Sequence, residues 1–230
     1  MGEIFDFCIF ITTYNRSEML SNLIKGIENQ KKDFRIKIIV FDDGSDEKYD
    51  LPEDVSYFKF IPNRGKKKFW TIIDVGFKLL KKVDSKYYVF LQDDVKIKEN
   101  FFVDLQKTYD EIEDPKKISL SFLTDERVKS PNWTGYAPRV RGNVLKTQWI
   151  ELHFICEKKL LETLEYKVDP INPNRWDSNP LLSSGVGWQM SLRLHNNGFG
   201  MYHTKESFVS HGNHESKMNK EERSRNKLIV

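Results

Sequence analysis

The sequence predicts an α/β fold built around a parallel sheet, on three observations. Apolar strand-like runs alternate with stretches of helical periodicity through the first 95 residues. Each of those runs ends in polar or charged residues, as strands do when their carboxyl ends face a ligand. Residues 87–91 are apolar or aromatic without alternation, the pattern of a strand buried on both faces.

Residues 4–11 form the first strand, closed by Thr12, Thr13, Tyr14, Asn15 and Arg16. Ser17 reads as a helix cap, because Met19, Leu20, Leu23, Ile24 and Ile27 follow at helical spacing. A second strand over 36–41 stops at Asp42, Asp43, Gly44 and Ser45. Strand, helix, strand in this order makes a right-handed crossover with the two strands parallel. A third strand over 55–61 leads through Asn63, Arg64 and Gly65 into three lysines. The next helix carries Trp70, Ile73, Val75, Phe77 and Leu80, and the central strand then runs into Asp93 and Asp94.

Beyond it the pattern predicts a helix over 101–112 and a strand over 118–123. Regularity then fails: 131–136 and 140–143 read as hairpins or loops, and 169–184 as a loop rich in Pro, Asn and Ser. Helical patterns return at 160–166 and at 188–197, the latter stopped by Gly198. Residues 207–211 read as a last short strand, and the polar stretch 213–227 as a mobile tail.

Composition bounds the function. At 230 residues, 39% hydrophobic and 13% aromatic, the chain has material for one sizeable core. No window approaches the roughly 18 consecutive apolar residues of a membrane span. Acids stand near the start, where a signal peptide has its basic region, so the expectation is a cytoplasmic chain of bacterial or viral type. Cys8 and Cys156 read as buried thiols. The net charge of +3 is too mild to argue for nucleic acid, but Lys and Arg gather at 64–68 and 217–227 and suit phosphate-bearing partners.

The chemistry-bearing residues stand at strand ends. Asp93 and Asp94 offer oxygens that hard cations such as Mn²⁺ or Mg²⁺ prefer; alternatively they form a solvated turn. Asp43 can accept from a nucleobase N–H or a ribose hydroxyl, or simply close an Asp-Gly turn. Residues 64–68 open a helix, where free N–H groups favour anions, or make a solvated basic face. His211 and His214, three apart, are metal ligands or exposed imidazoles, while His153, His195 and His203 show no partner. Trp133 and Trp176 lie in polar loops, where an aromatic face can stack on a sugar or base.

Together these pieces resemble the GT-A fold of nucleotide-sugar-dependent glycosyltransferases, and family 2 in particular. The likeness rests on Thr12-Thr13-Tyr14-Asn15-Arg16, Asp42-Asp43-Gly44-Ser45, Asn63-Arg64-Gly65 and Leu91-Gln92-Asp93-Asp94, in the same order and spacing over residues 4–95. A second match covers Gly187 to Leu194, Gly198 and 207–211, and the stretch 100–180 resembles the family faintly. The resemblance implies a single domain: a nucleotide-sugar half over 1–98, an acceptor-side half over 99–212 and the tail. It implies that Thr12 and Tyr14 line the nucleoside pocket, with Arg16 and Asp93 also on the nucleotide side. Asp43 would bond uracil N3–H and Lys68 would approach the base or diphosphate. Asp94, with Asp93 and His211 assisting, would hold Mn²⁺ or Mg²⁺.

Inverting members of the family carry an acid pair just before the last helix, as base for the acceptor hydroxyl. Here those positions are Val186 and Gly187, so the expected base is Asp177, beside Trp176, with Glu151 or Asp125 as alternatives. The expected activity is metal-dependent transfer from a nucleoside diphosphate sugar, foremost a UDP-sugar, with inversion favoured over retention. The acceptor is a glycan or other hydroxyl, a modified base in nucleic acid included. Two competing readings are a sugar-phosphate nucleotidyltransferase, disfavoured because 12–16 lacks glycine, and a non-catalytic nucleotide or nucleic-acid binding module.

Overall fold

A computed structural model describes residues 4–124, 128, 138–170 and 185–211, the side chains of Lys66 and Lys67 excepted. The expected features at 131–136, most of the loop 169–184 and the tail 213–227 lie outside the described residues.

Strand β1 (Phe5–Thr13) sits between β2 (Ile36–Asp42) and β4 (Ser85–Gln92), parallel to both, and β3 (Ser56–Lys59) extends the sheet beyond β2. Helices α1 (Ser17–Glu28) and α2 (Gly65–Leu80) make the crossovers. This parallel half is the one the sequence predicts. On the other side of β4 the strand order departs from the chain order. Strand β9 (Phe154–Cys156) lies antiparallel between β4 and β6 (Lys117–Ser121). Strand β10 (Gly200–Thr204) follows parallel to β6, then β8 (Val144–Thr147) and β7 (Arg139–Arg141) as an antiparallel hairpin at the edge. The result is a nine-stranded sheet in which only β8 and β9 run against the rest.

Side chains of β1 alternate between two apolar layers, which is why the strand shows no polar alternation. Phe7, Ile9 and Ile11 pack with Leu20, Leu23 and Ile27 of α1 and Phe102 and Leu105 of α3 (Phe101–Asp110). Cys8 and Phe10 face the other way, with Ile73 and Phe77 of α2, Leu160 of α4 (Lys158–Thr163) and Met190 of α5 (Val186–Asn196). Phe90 of β4 stacks on Phe154 of β9 with ring centroids 4.4 Å apart and planes 12° from parallel. Both cysteines are free and buried, as expected.

Two local expectations need correction. Ser17 is the first helical residue of α1 and makes no cap; its N–H donates instead to Glu47 Oε2 at 2.8 Å, so a carboxylate from a distant loop serves the helix N-terminus. Strands β9 and β10 appear where no strand was expected. The stop at Gly198 holds: with φ of 75°, its N–H bonds His195 O and that of Phe199 bonds Leu194 O, the two bonds of a Schellman turn.

Candidate active site

The site forms where β1, β2 and β4 end together. The β1 ladder continues one bond past each neighbour: Asp43 N–H donates to Thr13 O at 2.9 Å, and Asp93 N–H donates to Thr12 O at 3.1 Å. These bonds fix Asp43 and Asp93 on opposite flanks of the same strand end.

Asp93 is almost fully buried. Thr13 Oγ1 donates to its Oδ2 at 2.7 Å, and Arg16 Nη1 donates to its Oδ1 at 2.9 Å. Burial raises its carboxyl to about 6, against the opposing pull of the Arg16 charge and the Thr13 hydrogen bond. The same Arg16 Nη1 reaches Asp94 Oδ2 at 2.7 Å, so one guanidinium nitrogen bridges both acids. On Asp94 burial again works upward. The hydrogen bond from His211 and the charge of Arg16 outweigh it and hold this carboxyl below the usual range. His211 Nε2 stands 3.2 Å from Asp94 Oδ2, delivered there by the two-stranded pairing of β11 (Val209–His211) with β5 (Val95–Ile97). Asp94 Oδ1 is buried with no hydrogen-bond partner among the described residues.

His153, just before β9, lies close enough to feel this group. Burial pushes its imidazole down to about 4, so it is neutral near pH 7, and it senses the charges of Asp94 and His211. Its Nε2 is buried without a hydrogen-bond partner among the described residues.

On the other flank the two acids of the β2 end divide their tasks. Asp42 turns inward: its Oδ1 accepts from Ser45 N–H at 3.0 Å and from the Ser45 hydroxyl at 2.5 Å, and its Oδ2 accepts from Tyr57 OH at 2.5 Å. Asp43 receives Arg64 N–H at 2.6 Å and Gly65 N–H at 2.9 Å, so it stands over the N-terminus of α2. Burial is the largest influence on it and raises its carboxyl, against those two N–H groups. Asn15 ties the flanks together. Its Oδ1 accepts from Asp46 and Glu47 N–H at 2.8 and 3.3 Å, and its own N–H donates to Ser45 Oγ at 2.7 Å.

Of the sequence-predicted residues, Arg16, Asp93, Asp94 and His211 form one bonded cluster, and Thr12 and Asp43 lie beside it. Tyr14 is half-buried in the same loop. Lys68 is exposed in the first turn of α2, at a break in helical geometry with φ of −111° and ψ of 17°. Asp125, Trp133, Trp176, Asp177 and His214 lie outside the described residues. Thr13 and His153 were not anticipated. Thr13 sits in the quoted motif, but only the fold aims its hydroxyl at Asp93. No sequence signal marks His153, since its place depends on the unforeseen insertion of β9 beside β4.

Residues 8–170 match the model described as glycosyl transferase family 2. Among solved structures, the chain is similar to residues 1–349 of S. aureus TarS in complex with UDP-GlcNAc. There the TM-score is 0.58 at 13% identity, covering 92% of this chain and 60% of that one. The same S. aureus fragment without that ligand in its description gives a TM-score of 0.54 at 13% identity, with 88% and 59% covered. The chain thus spans about three-fifths of those structures, and at this identity the likeness is one of fold. No curated protein sequence matches it. Among the described residues, no helix is long and apolar enough to cross a membrane.

Proposed function

The chain belongs to glycosyl transferase family 2, and from that membership we propose that it moves a sugar from a nucleoside diphosphate sugar to an acceptor hydroxyl. The observation that carries this reading is the clamp at the β1 end, Asp43 on one flank and Asp93 with Asp94 on the other, all inside the matched stretch. S. aureus TarS is similar in fold and was solved with UDP-GlcNAc, which makes UDP-sugars the first donors to try.

In this reading Thr12 and Tyr14 line the nucleoside pocket and Asp43 accepts the uracil N3–H. Each carboxylate oxygen has a second lone pair, so Asp43 can serve the base while it receives the α2 N–H groups. Arg16 and Lys68 supply positive charge toward the diphosphate. The donor chemistry also suits a divalent cation, since Asp94 Oδ1 is buried and unpartnered and His211 Nε2 lies beside the other oxygen. Among the described residues no three His, Cys, Asp or Glu gather closely enough to hold an ion alone. Mn²⁺ or Mg²⁺ would therefore be held by Asp94 and His211 together with the diphosphate, the way such ions share carboxylates with nucleotides. Bound there, the ion neutralises charge on the leaving diphosphate.

Transfer forms a bond between the acceptor oxygen and the anomeric carbon. The bond from that carbon to the diphosphate breaks with its electron pair passing to the phosphate oxygen. Asp177 takes the acceptor's proton in this proposal, and an inverted anomeric centre results. Trp133 and Trp176 are the proposed acceptor-side platforms.

A melting-temperature screen of UDP-, GDP-, CDP- and dTDP-sugars with and without Mn²⁺ tests the reading. A donor at 100 times its dissociation constant adds about 2.7 kcal/mol of stability and stands out. If none of them shifts the melting point in Mn²⁺, the proposed donor class is wrong.

A further inference from the structure

Asp93 and Asp94 are both more than nine-tenths buried, and in the described residues their charge is answered by one side chain bridging the pair through a single nitrogen, Arg16 Nη1 at 2.9 and 2.7 Å. His211 Nε2 reaches Asp94 Oδ2 at 3.2 Å. The Arg16 side chain is itself 11% exposed, so this is a desolvated pair of contacts and not a surface ion pair.

We propose that Arg16 and a divalent cation compete for these two carboxylates, so that the protein takes up its cation together with the nucleoside diphosphate and holds it only weakly alone. The inference rests on the nucleotide-sugar reading above and adds the order of binding.

The residues argue for exchange rather than permanent closure. Among the described residues only the two acids hold Arg16 Nη1, whereas the backbone around it is pinned. Asn15 is in the left-handed region with φ of 49°, and its side chain is tied to Asp46 and Glu47. Ser17 N–H is bound to Glu47. The guanidinium can leave by side-chain rotation while the loop stays fixed. A guanidinium fork matches phosphate oxygens as well as carboxylate oxygens, so an arriving diphosphate offers Arg16 an equivalent partner. Its departure frees Asp93 Oδ1 and leaves Asp94 Oδ2 beside His211 alone, and both join the already unpartnered Asp94 Oδ1. Oxygens in that number are what a hard cation seeks. A cation arriving without nucleotide must instead displace a charge that has nowhere equivalent to go.

Mn²⁺ titration by electron paramagnetic resonance at pH 8 tests this on the wild-type chain and on Arg16→Met, each with and without UDP. Arg16→Met leaves two buried carboxylates uncompensated, so it should bind Mn²⁺ alone about tenfold tighter than wild type. UDP should tighten Mn²⁺ binding strongly in wild type and much less in Arg16→Met. Arg16→Lys keeps the charge as a shorter point cation and should give a smaller gain in the same direction, which covers the case where Arg16→Met does not fold. Mn²⁺ affinity that is unchanged or weaker in the variants, or no Mn²⁺ binding in any of them, overturns the proposal. A parallel melting assay of wild type with UDP-GlcNAc and the other sugar nucleotides separates the two ideas. A donor shift without the Arg16 effect leaves the nucleotide-sugar reading standing and removes this inference; the Arg16 effect with UDP but no shift with any sugar nucleotide keeps the competition for the carboxylates and removes the proposed donor class.

Discussion

Asp42 and Asp43 are neighbours in sequence with different physical duties. Asp42 accepts three hydrogen bonds from Ser45 and Tyr57 while fully buried, so its work is to hold the loop that presents Asp43. Asp42→Asn keeps the shape but turns an amide N–H₂ toward a group that donates. It should cost about 1–3 kcal/mol, measured by urea unfolding. Asp94 behaves differently. Its unpartnered Oδ1 contributes nothing to holding the described fold, so Asp94→Asn should remove the Mn²⁺-dependent part of the melting shift given by a sugar nucleotide. The part seen in EDTA should survive; if the Mn²⁺ increment persists in the variant, Asp94 is no cation ligand. These acids were legible in the sequence because short motifs at strand ends carry them. Thr13 was not, since its role depends on a 2.7 Å bond to a residue 80 positions away.

Helix α5 leaves no room for a side chain at Gly187, one of the two positions where the resemblance puts an acid pair. A Cβ on Gly187 would lie 2.3 Å from Ile150 O, so this turn of the helix lies directly on the backbone between β8 and β9. Ser191 clamps the contact: its Oγ accepts Ile150 N–H at 2.8 Å and donates to Gly187 O at 2.6 Å. Gly187→Ala must push helix and strand connection apart, at about 1–3 kcal/mol or more, which for a chain of this size lowers the melting point by about 3–10 °C. Gly142→Ala is the control: φ there is 54°, yet nothing lies within 4 Å, so only the backbone term of about 1 kcal/mol applies. Equal losses at the two sites would mean that α5 does not rest on Ile150. The helix itself was legible from its apolar spacing and its Gly198 stop. The strand beside it was not: Phe154, Ile155 and Cys156 are all buried, and three apolar residues have no period to read. The cap on α1 failed for a related reason, because Glu47 is supplied by tertiary structure and a local serine pattern cannot reveal it.

At the scale of the whole molecule, the sheet joins a regular parallel half to a mixed half; the first announces itself fully in sequence, the second only in the strand expected over 118–123 and the turn at 140–143. Parallel strands need long crossovers with helical periodicity, so β1 to β4 leave a trace in the order of elements. The mixed half is assembled by long-range bonds, and Asp114 is one of its fasteners. Its Oδ2 accepts from Lys146 of β8 at 2.7 Å and from Tyr202 OH of β10 at 2.5 Å, and its Oδ1 accepts from Lys116 N–H just before β6. Burial works to raise this carboxyl, but the bonds from Lys146 and Tyr202 prevail and bring it from the usual 3.8 down to about 2. In the unfolded chain Asp114 takes up its proton near 3.8, while the folded chain resists until about 2. Protons therefore favour unfolding across that interval. The contribution of Asp114 is complete above the unfolded value and is lost as pH falls through the folded one. Measured by urea unfolding, the stability difference between wild type and Asp114→Asn should stay constant from neutral pH down to about 5 and shrink steadily toward pH 2. A difference that holds flat to pH 2 would mean the carboxylate is not what ties β6, β8 and β10 together.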